Sequence, residues 1–163
     1  MRDPKKVAGG RALLFERLAG ASDPRAEEEG ARPFRVHEGA ALKESVAREL
    51  RRLLNTRSNL PLDSRGGELS VIDYGLPDFS SLSALSGDDR ERLSSLVARS
   101  VAAFEPRLRD VRVTAERLRL NDRALILRLD AMLVVGEYSE PVSFSLHARP
   151  GAGAVDVGEE DTY

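Results

Sequence analysis

Two histidines, no cysteine and a scatter of carboxylates limit the chemistry open to this chain. A Ser–His–Asp relay needs a histidine set between nucleophile and acid, and only His37 and His147 exist. His37 falls in a polar stretch without periodicity. His147 alternates with apolar residues near the end of a strand pattern, where a surface or edge imidazole is the simpler reading. The pair is far from the i, i+4 spacing that places two imidazoles on one helix face for a metal ion. Without cysteine there is no thiolate nucleophile, sulfur ligand or disulfide. Gly66-Gly67 lacks the Lys-Ser/Thr and the helix that complete a phosphate loop. Two carboxylates flanking a cleft could hydrolyse a glycosidic bond, and Glu105 with Asp73 or Asp78 is the pair to propose. Yet the chain has no Trp, five Phe and three Tyr. Most of those rings sit on apolar stripes, which leaves few to stack on sugars. The reading is of no catalytic residue, no cofactor and no metal.

More telling is Phe104-Glu105-Pro106-Arg107-Leu108, with opposite charges on either side of a proline where an amphipathic helix must stop. A glutamate at a helix C-terminus opposes the macrodipole, at a cost of about 0.3–1 kcal/mol if unpaired. Arg107 is close but across the proline; Arg99, Arg109 and Arg112 are also in reach. Either an internal ion pair locks the corner, or the two charges form a knob offered to another subunit, where paired charges set register and partner choice. The readings are compatible. About thirty residues upstream lies Ile72-Asp73-Tyr74-Gly75-Leu76-Pro77-Asp78-Phe79. Gly75 permits an unusual φ, Pro77 pushes Leu76 out of the α region, and Leu76 and Phe79 call for burial. This connector should be pinned to the core.

The elements that hold these segments follow from hydrophobic period. Leu42, Val46, Leu50, Leu53 and Leu54 mark a helix from 40 to 54. Ser86 or Asp88 is the candidate N-cap of a second helix, striped by Leu93, Leu96, Val97, Val101 and Phe104 and ended by Pro106. The period then changes to two. Strands are expected over 108–120, 124–135 and 142–146, with Asn121-Asp122 a candidate turn, Gly136 to Glu140 another, and Pro141 at the start of the last strand. Ahead of these, Leu13, Leu14, Phe15 and Leu18 suggest a brief helix within 11–19. Residues 21–39, with Pro24, Glu27-Glu28-Glu29 and Pro33, read as a flexible linker, and 149–163 as a disordered acidic tail. The expected fold is α+β: a single domain over 40–148, with N-terminal helices packed on a small antiparallel sheet of about three strands.

The 163 residues are 41% hydrophobic and 32% charged, enough to bury one core. Lys+Arg number 25 against 27 Asp+Glu, a net charge of −2. That balance argues against nucleic acid as the main partner. No run approaches the roughly 18 apolar residues of a membrane span, nor does the N-terminus resemble a signal peptide, so a cytoplasmic protein is expected.

Leu13-Leu14-Phe15-Glu16-Arg17-Leu18, Leu53-Leu54-Asn55-Thr56-Arg57 at the end of 45–57, the 72–79 connector and Phe104-Glu105-Pro106-Arg107-Leu108 together resemble the TssE family of type VI secretion baseplate subunits, which are lysozyme-like phage tail wedge proteins. The likeness runs from about 13 to about 146. Tyr-Gly-Leu-Pro-Asp-Phe followed at this distance by Phe-Glu-Pro-Arg-Leu is specific only in combination. The resemblance implies a small α+β wedge domain without muramidase activity, in a baseplate docked at the inner face of the cytoplasmic membrane. Its implied partners are the baseplate subunits TssF, TssG and TssK and the sheath subunits TssB and TssC. It implies wedge contacts through Glu105, Pro106 and Arg107, and a sheet edge that pairs with a sheath strand. The strand with Val142, Phe144 and Leu146 is the expected edge, since it carries no Lys to block pairing. The alternative is a lysozyme-like glycoside hydrolase acting on peptidoglycan.

Overall fold

A computed structural model describes residues 10–11, 36–37, 39–62, 69–119, 124–136 and 138–159. The helix expected within 11–19, most of the 21–39 linker, Gly66-Gly67 and the Asn121-Asp122 turn lie outside these residues. Gly10–Arg11 (β1) pairs antiparallel with Val36–His37 (β2), so His37 is in a strand. Two helices follow, Ala40–Asn55 (α1) and Gly87–Phe104 (α2), then four strands: Leu108–Arg119 (β3), Ala124–Val135 (β4), Tyr138–Arg149 (β5) and Ala154–Glu159 (β6). The α+β expectation holds, but the sheet has four strands, in the antiparallel order β3-β4-β5-β6.

Each helix forms for the reason its stripe suggests. Leu42, Val46, Leu50, Leu53 and Leu54 of α1 are buried, as are Leu93, Val97 and Val101 of α2. The Ser86 side chain caps α2 by accepting from the Asp89 amide at 3.3 Å. Both helices cover one face of the sheet, α2 along β3 and α1 along β6. From that face Leu125, Leu127, Leu129 and Leu133 of β4, and Val142, Phe144, Leu146 and Ala148 of β5, complete the core. Val135 and Tyr138 pair directly across Gly136, whose φ of 62° belongs to a tight hairpin.

Two expectations need correction. The fourth strand arises inside the stretch read as a disordered tail. Val155 and Val157, buried against α1, give it a period of two, which the surrounding Gly, Ala and acidic residues obscured. In consequence β5 is not an edge where one was expected. Phe144 through Arg149 register with Glu159 through Ala154, and β4 lies on the other side. The side chains of Val142, Phe144 and Leu146 are core, at 4%, 1% and 0% exposure. Of the three, only Val142 lies beyond the stretch paired with β6.

Candidate functional site

The corner between α2 and β3 is closed by its own charges. Glu105 is the C-cap of α2, its amide donating to the Val101 carbonyl at 2.9 Å. Its carboxylate turns back over Pro106 to take two hydrogen bonds from Arg107, Nε to Oε1 at 2.8 Å and Nη2 to Oε2 at 2.7 Å. The Arg107 amide adds a third, at 3.2 Å. Both side chains are buried, Glu105 at 3% and Arg107 at 8% exposure. The fork-on-fork geometry is the strong form of such a pair. The knob reading of these two charges is therefore corrected: they face each other, and Pro106 between them is the exposed apex.

The pair also ties three elements together. Arg107 Nη1 donates to Ser45 Oγ of α1 at 3.0 Å, and the Arg107 carbonyl accepts from the Val134 amide of β4 at 2.8 Å. Ser45 is fully buried and interrupts the apolar face of α1, a signal that sequence reasoning passed over. Ser45→Ala should cost about 1.5–3 kcal/mol, the range for a hydrogen bond to a charged group, measured by urea unfolding. A loss below about 0.5 kcal/mol would mean that Ser45 does not help hold the guanidinium.

The 72–79 connector is pinned, as expected. Leu76 pairs with the strand-like exit of α1: its amide donates to the Thr56 carbonyl at 2.9 Å, and its carbonyl accepts from the Ser58 amide at 2.8 Å. Ser100 Oγ of α2 donates to the Gly75 carbonyl at 3.0 Å. Phe79 is fully buried beneath Arg57, whose guanidinium lies 5.1 Å from the ring centre. Tyr74 meets Phe104 edge to face at 5.3 Å. Burial pushes the Tyr74 phenol up, Glu49 and Glu105 push the same way, and Arg52 opposes them.

Glu105, Asp73 and Asp78 are each engaged by groups of their own neighbourhood rather than set as a hydrolytic pair. Both Glu105 oxygens are held by Arg107. Asp73 caps the Val71–Asp73 turn by accepting from Ser70. Asp78 accepts from the Ser80 amide, the main reason its carboxyl lies below the usual range. His147 stands in β5 opposite Asp156, whose carboxylate is taken by Arg149 at 3.0 Å. Among the described residues no cluster of His, Asp and Glu could hold a metal ion, and no helix is long and apolar enough to cross a membrane.

On the sheet face away from the helices, Asp130 accepts from Ser143 Oγ at 2.6 Å and Arg128 Nε at 3.0 Å. Partial burial pushes its carboxyl up, but these hydrogen bonds and the Arg128 charge outweigh that, and it lies below 3.8. A depressed folded-state value stabilises the fold above the unfolded pKa, and the gain disappears as pH falls through the folded value. Asp130→Asn should therefore narrow the stability difference between pH 6 and pH 3, read from denaturant midpoints; an unchanged difference would remove Asp130 from acid sensitivity.

The long edge of the sheet is β3. Val134 donates to Arg107, so the even-numbered residues of β4 face β3. The register Thr114↔Arg128 then turns the backbone groups of Val113 and Ala115 outward. Register shifts between Arg109 and Arg112 and between Ala115 and Arg117 flank this stretch. Asp110, with φ 54°, forms the first.

A family model described as baseplate wedge protein gp25 matches residues 40–137, more than half of the 163. The chain belongs to the gp25 baseplate wedge family. The matched span of this wedge protein takes in α1, the connector, α2, the Glu-Pro-Arg corner, β3 and β4, while β5 and β6 follow it. Searches of curated proteins and of solved structures gave no match. Membership gives the chain a structural role in a phage-tail-like baseplate, among other baseplate and tail components.

Proposed function

We propose that the chain is a TssE-type subunit of a contractile type VI secretion baseplate. In this reading it helps assemble the wedge with TssF, TssG and TssK, couples the baseplate to the TssB–TssC sheath, and has no enzymatic role. It works in the cytoplasm, at the inner face of the membrane where the baseplate docks. The observation that carries the finer reading is the pairing of Tyr74-Gly75-Leu76-Pro77-Asp78-Phe79 with Phe104-Glu105-Pro106-Arg107-Leu108 in a chain of the gp25 family.

Glu105 and Arg107 then act through shape. Their buried bond fixes the angle at which β3 leaves α2 and sets Pro106 outward as the point a wedge partner meets. The sheath strand adds to the outer edge of β3 by β-augmentation, in place of the 142–146 edge expected from sequence.

The test is co-expression with TssF, TssG and TssK and with the sheath proteins TssB and TssC. Wild type should co-purify with both groups. Ala115→Pro removes an outward amide and leaves the β3–β4 ladder intact, so it should fold normally, keep the wedge proteins and lose the sheath proteins. Sheath binding undiminished in a folded Ala115→Pro protein would overturn the β3 assignment. Release of soluble muropeptides from peptidoglycan above a heat-inactivated control would favour the lysozyme-like alternative.

A further inference from the structure

The far edge of the sheet is closed by side chains. Val155 and Val157 of β6 turn their backbone groups away from β5, since Ala154, Asp156 and Gly158 take the ladder positions facing it. The Asn55 side chain at the end of α1 meets Val155 as another strand would. Its Nδ2 donates to the Val155 carbonyl at 2.7 Å, and its Oδ1 accepts from the Val155 amide at 3.0 Å. One turn earlier, Arg51 donates to the Val157 carbonyl from Nε at 3.1 Å and Nη2 at 2.7 Å. Two residues later, Arg57 Nη2 donates to the Gly153 carbonyl. The contacts run in opposite chain directions, 51, 55 and 57 against 157, 155 and 153, so they mimic an antiparallel partner strand.

We propose that Arg51, Asn55 and Arg57 form an edge guard that keeps β6 from pairing with β6 of a second copy of this chain. The reason lies in the strand itself. Ala-Val-Asp-Val-Gly has no Lys and no Pro, the usual blocks to edge pairing. An antiparallel copy would set valine against valine and satisfy the groups that Asn55 and Arg51 now hold. The guard goes beyond the assembly reading and does not depend on it: it concerns the isolated chain.

Amide exchange on the wild-type chain is the first arm. The Val155 amide, on an outer edge, should be protected to the level of the Ala148 amide inside the sheet; exchange at the rate of a free edge would overturn the guard without any variant. In the second arm, Asn55→Leu with Arg51→Met removes the surrogate bonds. Val155 exchange should rise roughly tenfold, the ratio that corresponds to ~1.4 kcal/mol, and light scattering should show dimers that grow with concentration. Since the chain has no cysteine, an Asp156→Cys reporter should cross-link in this background and stay monomeric in the guarded one. A protein that remains monomeric, or that cross-links through Thr114→Cys on β3 instead, overturns the proposal. If the double variant does not fold, Asn55→Asp alone keeps the acceptor for the Val155 amide and loses the donor; it should show a smaller shift in the same direction, and no shift at all counts against the guard.

Discussion

Arg107→Ala should destabilise the isolated chain by about 3–5 kcal/mol, because it leaves the Glu105 carboxylate buried at 3% exposure without its counter-charge. Glu105→Ala should cost a similar amount by stranding the guanidinium. Either loss is a large share of the ~5–15 kcal/mol that holds a typical domain together. Had the pair been solvent-exposed, the same substitutions would cost only about 0–1 kcal/mol, so urea titration separates the two cases cleanly. Replacing both residues by apolar ones, Glu105→Leu with Arg107→Met, should recover much of the loss, since removing a buried pair whole is often near neutral. That variant also divides shape from charge in assembly. If it folds and still joins the baseplate proteins, the charges serve the corner. If it folds and fails to join, they are read by a partner. Single losses below 1 kcal/mol would mean that the corner opens to water.

The second large effect is at Gly75. Its φ of 115° lies where side-chain-bearing residues rarely go, and a Cβ built there would collide with the Thr56 carbonyl. The carbonyl cannot retreat, because it accepts the Leu76 amide at 2.9 Å. Backbone strain of about 1–3 kcal/mol and a clash of similar size combine, so Gly75→Ala should cost roughly 2–6 kcal/mol by thermal or chemical unfolding. The damage should centre on the connector: Leu76 and Ser58 amides should lose protection before those of β4. A loss under 1 kcal/mol would show that the connector moves aside without cost, and that its bridge to the end of α1 is weak.

The helices, β3 and β4 were legible because their signals are long and repeated. Five leucines and valines on one face of α1, and Leu125, Leu127 and Leu129 alternating in β4, leave few alternatives. The connector was legible for a different reason, since Gly75, Pro77 and two large apolar residues restrict where a loop can lie. What escaped were features made by distant partners. Two valines in a six-residue segment do not suggest a strand; β6 forms because β5 offers a ladder and α1 supplies Asn55 and Arg51 about a hundred residues away. Once β6 is unseen, β5 looks like an edge. For Glu105 and Arg107 the sequence allows two compatible readings, an internal pair and an outward knob. Only burial and the contact with Ser45 62 residues back could decide which way the charges face.

β6 follows every other strand of its sheet in chain order, which bears on how the protein is made. Synthesis runs from the N-terminus, and domains fold as their parts emerge. Here α1, α2 and the β3–β4–β5 meander can be complete while Asn55 and Arg51 still have nothing to hold, and β5 stands with its Phe144–Arg149 flank unpaired. The strand that seals that flank leaves the ribosome only after all of these. A message broken after β5, or a protease that cuts before Ala154, would yield a protein with a sticky side. The integrity of that flank therefore turns on six residues, Ala154–Glu159, that come after the rest of the core is built.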